Sequence, residues 1–451
     1  MNPSGIGGTI PGFGHPARLI IGGFLGAVAV GTGLLSLPWA TADGHAAPWE
    51  DTLFTATSAV SVTGLITEDT GTYWSLFGQI IILALIQIGG LGIMTVATLV
   101  ALLISRRLRL GTRLATQAET KSLSASDVGR VVRRVVLFSL AVELIVAIIL
   151  GVRLVLLEQK GVFESVYEAI FLAISSFNNA GFALRSNNLM DFQDDPWVLL
   201  PIAAAVIIGG LGFPVWLDLF RNWRRPRRWS TLTRVTLWMT GILLAFGMAV
   251  YLFSEMKNPL TLGPMGDADR LLNSFFSGVM PRTAGFNSID TTALQPETAF
   301  ATDILMFIGG GSAGTAGGIK ITTLGILCLV VLAQARGDSD VATGRRRIST
   351  ATERQALTIM ALAGTIVAVA ILFLIPLTAG DFESVAFEVI SAFSTVGLSM
   401  GATPNLTPAG ELVVVVLMFI GRIGPLTVMS ALALRERRRR TTLPEERMIL
   451  G

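Results

Sequence analysis

Only 14% of the 451 residues are charged, and the chain holds one cysteine, two histidines and three tyrosines. A lone Cys328 excludes an intrachain disulfide, while His15 and His45 are too few for a histidine-rich metal or catalytic centre. The apolar stretches contain almost no acid, so a membrane enzyme would lack its catalytic groups, and no organic cofactor is expected. No Lys or Arg precedes Arg18. A cleaved leader is therefore not expected, and the first apolar stretch is read as its own insertion signal.

Apolar surface is what the chain has in excess. With 52% hydrophobic residues and a mean hydropathy of +0.66, lipid is the expected surrounding. The net charge of +3 does not point to nucleic acid, because the arginines fall in short runs between apolar stretches, as they do in cytoplasmic loops. Anionic membrane lipid is the expected contact of that charge.

Stretches long enough to cross about 30 Å of hydrocarbon lie near 18–39, 76–104, 132–156, 197–220, 231–253, 303–333, 355–378 and 411–434. Between the members of each pair is a shorter one, near 49–63, 164–180, 268–284 and 382–396, which opens on acidic or polar residues and turns small and apolar, as a re-entrant half-helix would. Arg106, Arg107, Arg109 and Arg113 follow the first pair, Arg221, Arg224, Arg225, Arg227 and Arg228 the second, Arg345 to Arg347 the third, and Arg435 with Arg437 to Arg440 the fourth. Acids flank the short segments instead: Asp43, Glu68, Asp69, Asp191, Asp194, Asp195, Asp290 and Asp303. The positive-inside rule then makes all four arginine junctions cytoplasmic, with both termini, and leaves the repeats parallel. The expected fold is an all-α multi-pass membrane protein of four helix–pore loop–helix repeats, pseudo-fourfold about a central path. The repeats cover 1–110, 111–229, 230–344 and 345–451. Trp39, Trp49, Tyr73, Trp74 and Trp197 are expected at the outer boundary.

Each short segment ends on a glycine: Val62-Thr63-Gly64, Asn179-Ala180-Gly181, Thr283-Ala284-Gly285 and Thr395-Val396-Gly397. A dehydrated cation needs oxygen ligands around the axis, and backbone carbonyls supply them without formal charge. Glycine permits the left-handed or alternating backbone that turns them inward. One such turn is common at helix ends and means little; four in register point to a filter. The half-helix C-termini aim partial negative charge at the same axis.

The third inner stretch reads Gly309-Gly310-Gly311-Ser312-Ala313-Gly314-Thr315-Ala316-Gly317-Gly318-Ile319-Lys320. Its GxGxxG spacing follows no strand, which removes the nucleotide reading. So glycine-rich a helix should break, and broken helices at membrane depth line cavities. Residues 309–319 are expected to form a gate below the filter, with close helix packing through small residues as the alternative. Arg422, inside the fourth inner stretch, should face the water-filled path or an acidic partner rather than lipid, and on that path it could pair with gate carbonyls. Lys320 is a weaker candidate that could snorkel to the interface, and Glu143 is a candidate structural partner.

These residues carry a resemblance. Ser58 to Leu65, Phe177 to Phe182, Arg282 to Ser288 and Ile420 to Thr427 resemble the Trk/Ktr/HKT superfamily of potassium transporters, most of all its KtrB-type bacterial membrane subunits, over nearly the whole chain. The resemblance implies potassium as the transported ion in a bacterial inner membrane, since glycine at all four filter positions goes with potassium selectivity. It also implies an intramembrane gating loop at 309–319, an arginine barrier at Arg422, a homodimer contact through the C-terminal tail, and a cytoplasmic ring of nucleotide-binding regulatory subunits. Sodium coupling or permeation is the alternative. A small-solute carrier fits less well, because the repeats are parallel and every re-entrant segment enters from one face.

Overall fold

The computed structural model describes residues 16–111, 125–157, 161–338, 340–343 and 346–424. Helices dominate them. In chain order they are α1 (Pro16–Leu35), α2 (Trp49–Ser61), α3 (Leu76–Gly111), α4 (Ala125–Leu157), α5 (Val162–Asn178), α6 (Pro196–Leu211) and α7 (Phe213–Asn222). There follow α8 (Thr231–Glu255), α9 (Asp267–Val279), α10 (Pro296–Phe307), α11 (Ile321–Arg336), α12 (Thr350–Leu374), α13 (Phe382–Ser394) and α14 (Pro408–Ile423). Among the described residues the one exception to an all-helical fold is a two-residue antiparallel pair, Ala342–Thr343 with Arg346–Arg347. Arg113, Arg345, the arginines beyond Arg422 and the whole C-terminal tail lie outside the described residues.

Local chemistry sets the helix starts. Asp195, Ser230, Ser349, Asp381 and Thr407 each accept an orphan backbone N–H at a helix N-terminus. Pro196, Pro296 and Pro408 occupy first-turn positions, where a missing N–H costs nothing. Three helices, Gly129–Leu157, Thr231–Glu255 and Thr350–Leu377, are each long and apolar enough to cross a membrane, and α6 with α7 meets the same test as a pair. Ile21–Leu35, Leu76–Gly92 and Ile321–Arg336 are shorter apolar helices.

Each outer helix packs on the half-helix that follows it: α1 on α2, α4 on α5, α8 on α9 and α12 on α13. Each inner helix packs on the half-helix of the next repeat: α3 on α5, α6 on α9, α10 on α13, and α14 back on α2. The last contact closes a ring.

Three expectations are corrected. The inner stretch 197–220 is not one helix: it bends by 94° between α6 and α7, with Gly212 at φ 91°. Pro214 is the cause, since it has no N–H to offer the carbonyl of Gly210 and its ring would clash with that carbonyl in a continuous helix. Trp74 is not a boundary ring; it is 1% exposed and packs edge-on against Tyr73 at 5.1 Å, while Trp39, Trp49 and Trp197 are exposed. Asp303 does not flank a half-helix but lies within α10, because that helix begins at Pro296.

Candidate functional site

The half-helices end in one way three times over. At the C-terminus of α2 the N–H of Val62 bonds Ala59 O and that of Thr63 bonds Ser58 O; Asn179 and Ala180 repeat this after α5, and Thr395 and Val396 after α13. This paired return leaves the first of the two residues left-handed. Val62, Asn179 and Thr395 have φ of 56°, 60° and 52°, and Thr283 joins them at 69°. Three of the four are β-branched, for which this conformation costs roughly 1 to 2 kcal/mol each. The strain is held by packing, because Val62, Thr283 and Thr395 are at most 1% exposed.

Two residues on, Gly64, Gly181, Gly285 and Gly397 again have positive φ, of 93°, 70°, 72° and 95°, whereas the residues between do not. Every loop thus alternates in hand. An ideal Cβ on Gly64 would stand 3.1 Å from the Cα of Gly181; one on Gly181, Gly285 or Gly397 would stand 3.0 Å from the Cα of Gly285, Gly397 or Gly64 respectively. The same Cβ atoms would run into the carbonyl oxygens of Ala180, Ala284, Val396 and Thr63, taken in that order. The four loops therefore follow one another in a closed ring too narrow for any side chain. A hollow of about 320 Å³ opens on all four glycines, with Asn188 and Asp290 on its wall.

Sequence reading missed the braces behind these loops. Ser58 Oγ donates to Leu65 O at 2.7 Å and accepts from the Gly64 N–H at 3.1 Å. Ser175 Oγ donates to Phe182 O at 2.8 Å, and Ser391 Oγ accepts from the Gly397 N–H at 3.1 Å. A serine six residues before the glycine was the available signal. The third loop has Val279 there and turns differently, with the Ala284 N–H on Met280 O at 3.0 Å. Pro281 forces that change by denying the helix another N–H.

Directly beneath lies the non-helical segment between α10 and α11. Its ends are joined by the Gly309 N–H on Ile319 O at 2.8 Å and the Ile321 N–H on Gly310 O at 3.0 Å. Its middle is tied to the broken second helix: Gly311 N–H meets Gly210 O at 2.8 Å, and Thr315 N–H meets Gly209 O at 3.2 Å. The break in the second helix thus frees the carbonyls that hold the third repeat's segment. Thr315 Oγ1 donates to Asn179 Oδ1 at 2.9 Å, a side chain on Gly317 would strike Thr395 Oγ1, and Ser312 Oγ contacts Thr322 Oγ1 at 2.8 Å. A Cβ on Gly314 would stand 2.8 and 2.9 Å from the Gly210 and Gly209 carbonyl oxygens, and one on Gly318 would lie 3.3 Å from Ser394 Cβ, a looser contact.

Arg422 is 5% exposed. Its Nη1 donates to Thr315 O, and Nη2 to Gly89 O at 3.4 Å. Lys320 does not reach for the interface; its Nζ donates to Ala316 O and to Gly317 O at 3.4 Å, because the segment's own turn brings those carbonyls within reach. Glu143 is 4% exposed and accepts from Gln87 Nε2 at 3.0 Å and from Asn178 Nδ2 at 3.4 Å. It joins α3, α4 and the end of α5, one residue before the second loop. In the connection between α2 and α3, burial and the neighbouring Asp51 and Asp69 push the Glu68 carboxyl up.

The family of TrkH cation transport proteins matches residues 29–437. This chain belongs to that family. Within it, the chain is similar to the Ktr system potassium uptake protein B of Bacillus subtilis, with 43% identity over 94% of each chain. It is also similar to the potassium/sodium uptake protein NtpJ of Enterococcus hirae, with 38% identity over 97% of each. The fold matches the crystal structure of the potassium transporter TrkH from Vibrio parahaemolyticus at a TM-score of 0.74 and 16% identity, over 96% of this chain and 87% of that one. A TrkH-family chain is a membrane cation transporter and not an enzyme.

Proposed function

We propose that this chain takes up potassium through a channel-like pore whose selectivity filter is the ring of four glycine loops. The observation that carries the reading is the cyclic contact of Gly64, Gly181, Gly285 and Gly397 beneath an outward-opening hollow. A potassium ion entering the hollow would exchange water for the carbonyls of Val62-Thr63-Gly64, Asn179-Ala180-Gly181, Thr283-Ala284-Gly285 and Thr395-Val396-Gly397. The half-helix ends add negative potential there. Four parallel repeats, bounded at 1–110, 111–229, 230–344 and 345–451 and giving eight crossings, would set this path along the membrane normal. Both termini would then be cytoplasmic.

The segment from Gly309 to Lys320 is the gate in this reading. It is buried below the filter, held by main-chain bonds to Gly209 and Gly210 and pinned through Thr315 by Arg422. Such bonds are broken and remade at modest cost, which suits a closed state. The likeness to a Ktr system protein supports a regulatory partner subunit for which this chain is the membrane part; in this reading that partner is a cytoplasmic ring of nucleotide-binding subunits and the chain is a homodimer. A relative named for potassium and sodium keeps sodium permeation as the second reading. Growth of a potassium-uptake-deficient bacterium at limiting potassium tests the proposal. The wild-type chain should rescue growth; expression in the membrane with its regulatory partner but without rescue would remove it.

A further inference from the structure

Beyond α7 the chain carries five arginines in eight residues, Arg221, Arg224, Arg225, Arg227 and Arg228, with no acid between them. All five are exposed, and among the described residues none is paired with a carboxylate. Asp218, the acid nearest in sequence, is already occupied by Asn222 Nδ2 at 2.8 Å, the Ser230 N–H at 2.7 Å and Thr233 Oγ1 at 2.7 Å. The turn is a built one: the Trp229 indole N–H closes it on Asn222 O at 3.1 Å. Arg221, Arg224, Arg225 and Arg228, with Asn222 and Trp223, surround a hollow of about 230 Å³.

Its setting is that of a membrane surface. The 94° bend after α6 lays α7 across the direction of that apolar helix. Phe220, Trp223 and Trp238 are 63%, 68% and 74% exposed nearby, as amphipathic rings are at the headgroup level. Arg224 stacks on the Trp223 ring at 4.9 Å, which holds one guanidinium in place. Planar guanidinium forks bind phosphate oxygens in pairs, and an unpaired cluster of them at an interface attracts anionic headgroups.

We propose that this hollow binds a phosphate group, that of an anionic lipid in the cytoplasmic leaflet. The inference rests on membrane placement and not on the filter reading. The test uses the full-length purified chain and compares retention of phosphatidylglycerol and phosphatidylcholine by native mass spectrometry. The wild type and the exposed-site control R354Q should retain phosphatidylglycerol preferentially; R224Q/R225Q should lose roughly tenfold or more of it, with phosphatidylcholine unchanged. R221Q/R224Q/R225Q/R228Q should abolish the preference. Failure of inorganic phosphate to displace the lipid assigns the site to the headgroup, whereas displacement assigns it to free phosphate as well. Retention of phosphatidylglycerol by both variants at the wild-type level overturns the proposal. So does unchanged retention together with lost capture of an acidic protein partner.

Discussion

The guanidinium of Arg422, in α14, donates to the backbone carbonyl of Thr315, in the segment between α10 and α11. The two are 107 residues apart in sequence, yet this contact ties the end of α14 to the middle of the proposed gate. A hydrogen bond from a charged donor contributes about 1.5 to 3 kcal/mol, so it biases a closed segment by about tenfold or more. Arg422→Ala should raise rubidium uptake by about tenfold or more, with Arg422→Lys between it and wild type. An unchanged rate in Arg422→Ala would contradict the pin.

Deleting residues 312–314 removes the Gly314 contact with the Gly209 and Gly210 carbonyls and shortens the segment. Uptake should rise, and its dependence on the regulatory partner should weaken. Equal flux with intact regulation would mean that the glycines serve close packing only.

Ser58 braces both sides of Gly64. Ser58→Ala leaves the buried Gly64 N–H without its partner, at about 1 to 3 kcal/mol. Competition of sodium against rubidium uptake should increase, and the melting temperature should fall. Selectivity equal to wild type would show that the filter backbone holds itself.

Glu143 accepts amide donors from two helices. Glu143→Gln keeps an acceptor and should melt close to wild type, whereas Glu143→Leu strands the Gln87 amide N–H, on which Asn178 Nδ2 also relies through Gln87 Oε1, and should lose about 1 to 3 kcal/mol. Rubidium uptake should drop with it, since Asn178 adjoins the second loop. Equal melting of the two variants would show that the network is dispensable.

Much of this arrangement was legible in the sequence. Hydropathy placed α4, α8 and α12, and the fourfold recurrence of a glycine after a short acidic-started segment picked out the positive-φ positions Gly64, Gly181, Gly285 and Gly397. The left-handed Val62, Asn179, Thr283 and Thr395 were hidden because three of them are β-branched, which disfavours that backbone. The unbroken second inner helix was misread because apolar content hid Pro214, whose geometry outweighs hydropathy. Ser58, Ser175 and Ser391 were overlooked because small serines in an apolar helix look like packing residues until their partners are seen. For Lys320 the sequence left the gate and the interface both open, because a lysine near a span end suits either; the fold of residues 309–319 places the Ala316 and Gly317 carbonyls around its Nζ. No sequence pattern could show that α14 returns to α2, because that contact depends on ring closure.

The most direct test of the filter is rubidium uptake into proteoliposomes holding the purified chain with its regulatory partner, comparing wild type with Gly64→Ser. A side chain at Gly64 would meet the carbonyl of Ala180, so the account predicts saturable wild-type uptake, competed by potassium far better than by sodium, and loss of that preference in Gly64→Ser. Wild-type uptake no greater than in empty liposomes, or an ion preference indifferent to Gly64→Ser, would contradict it.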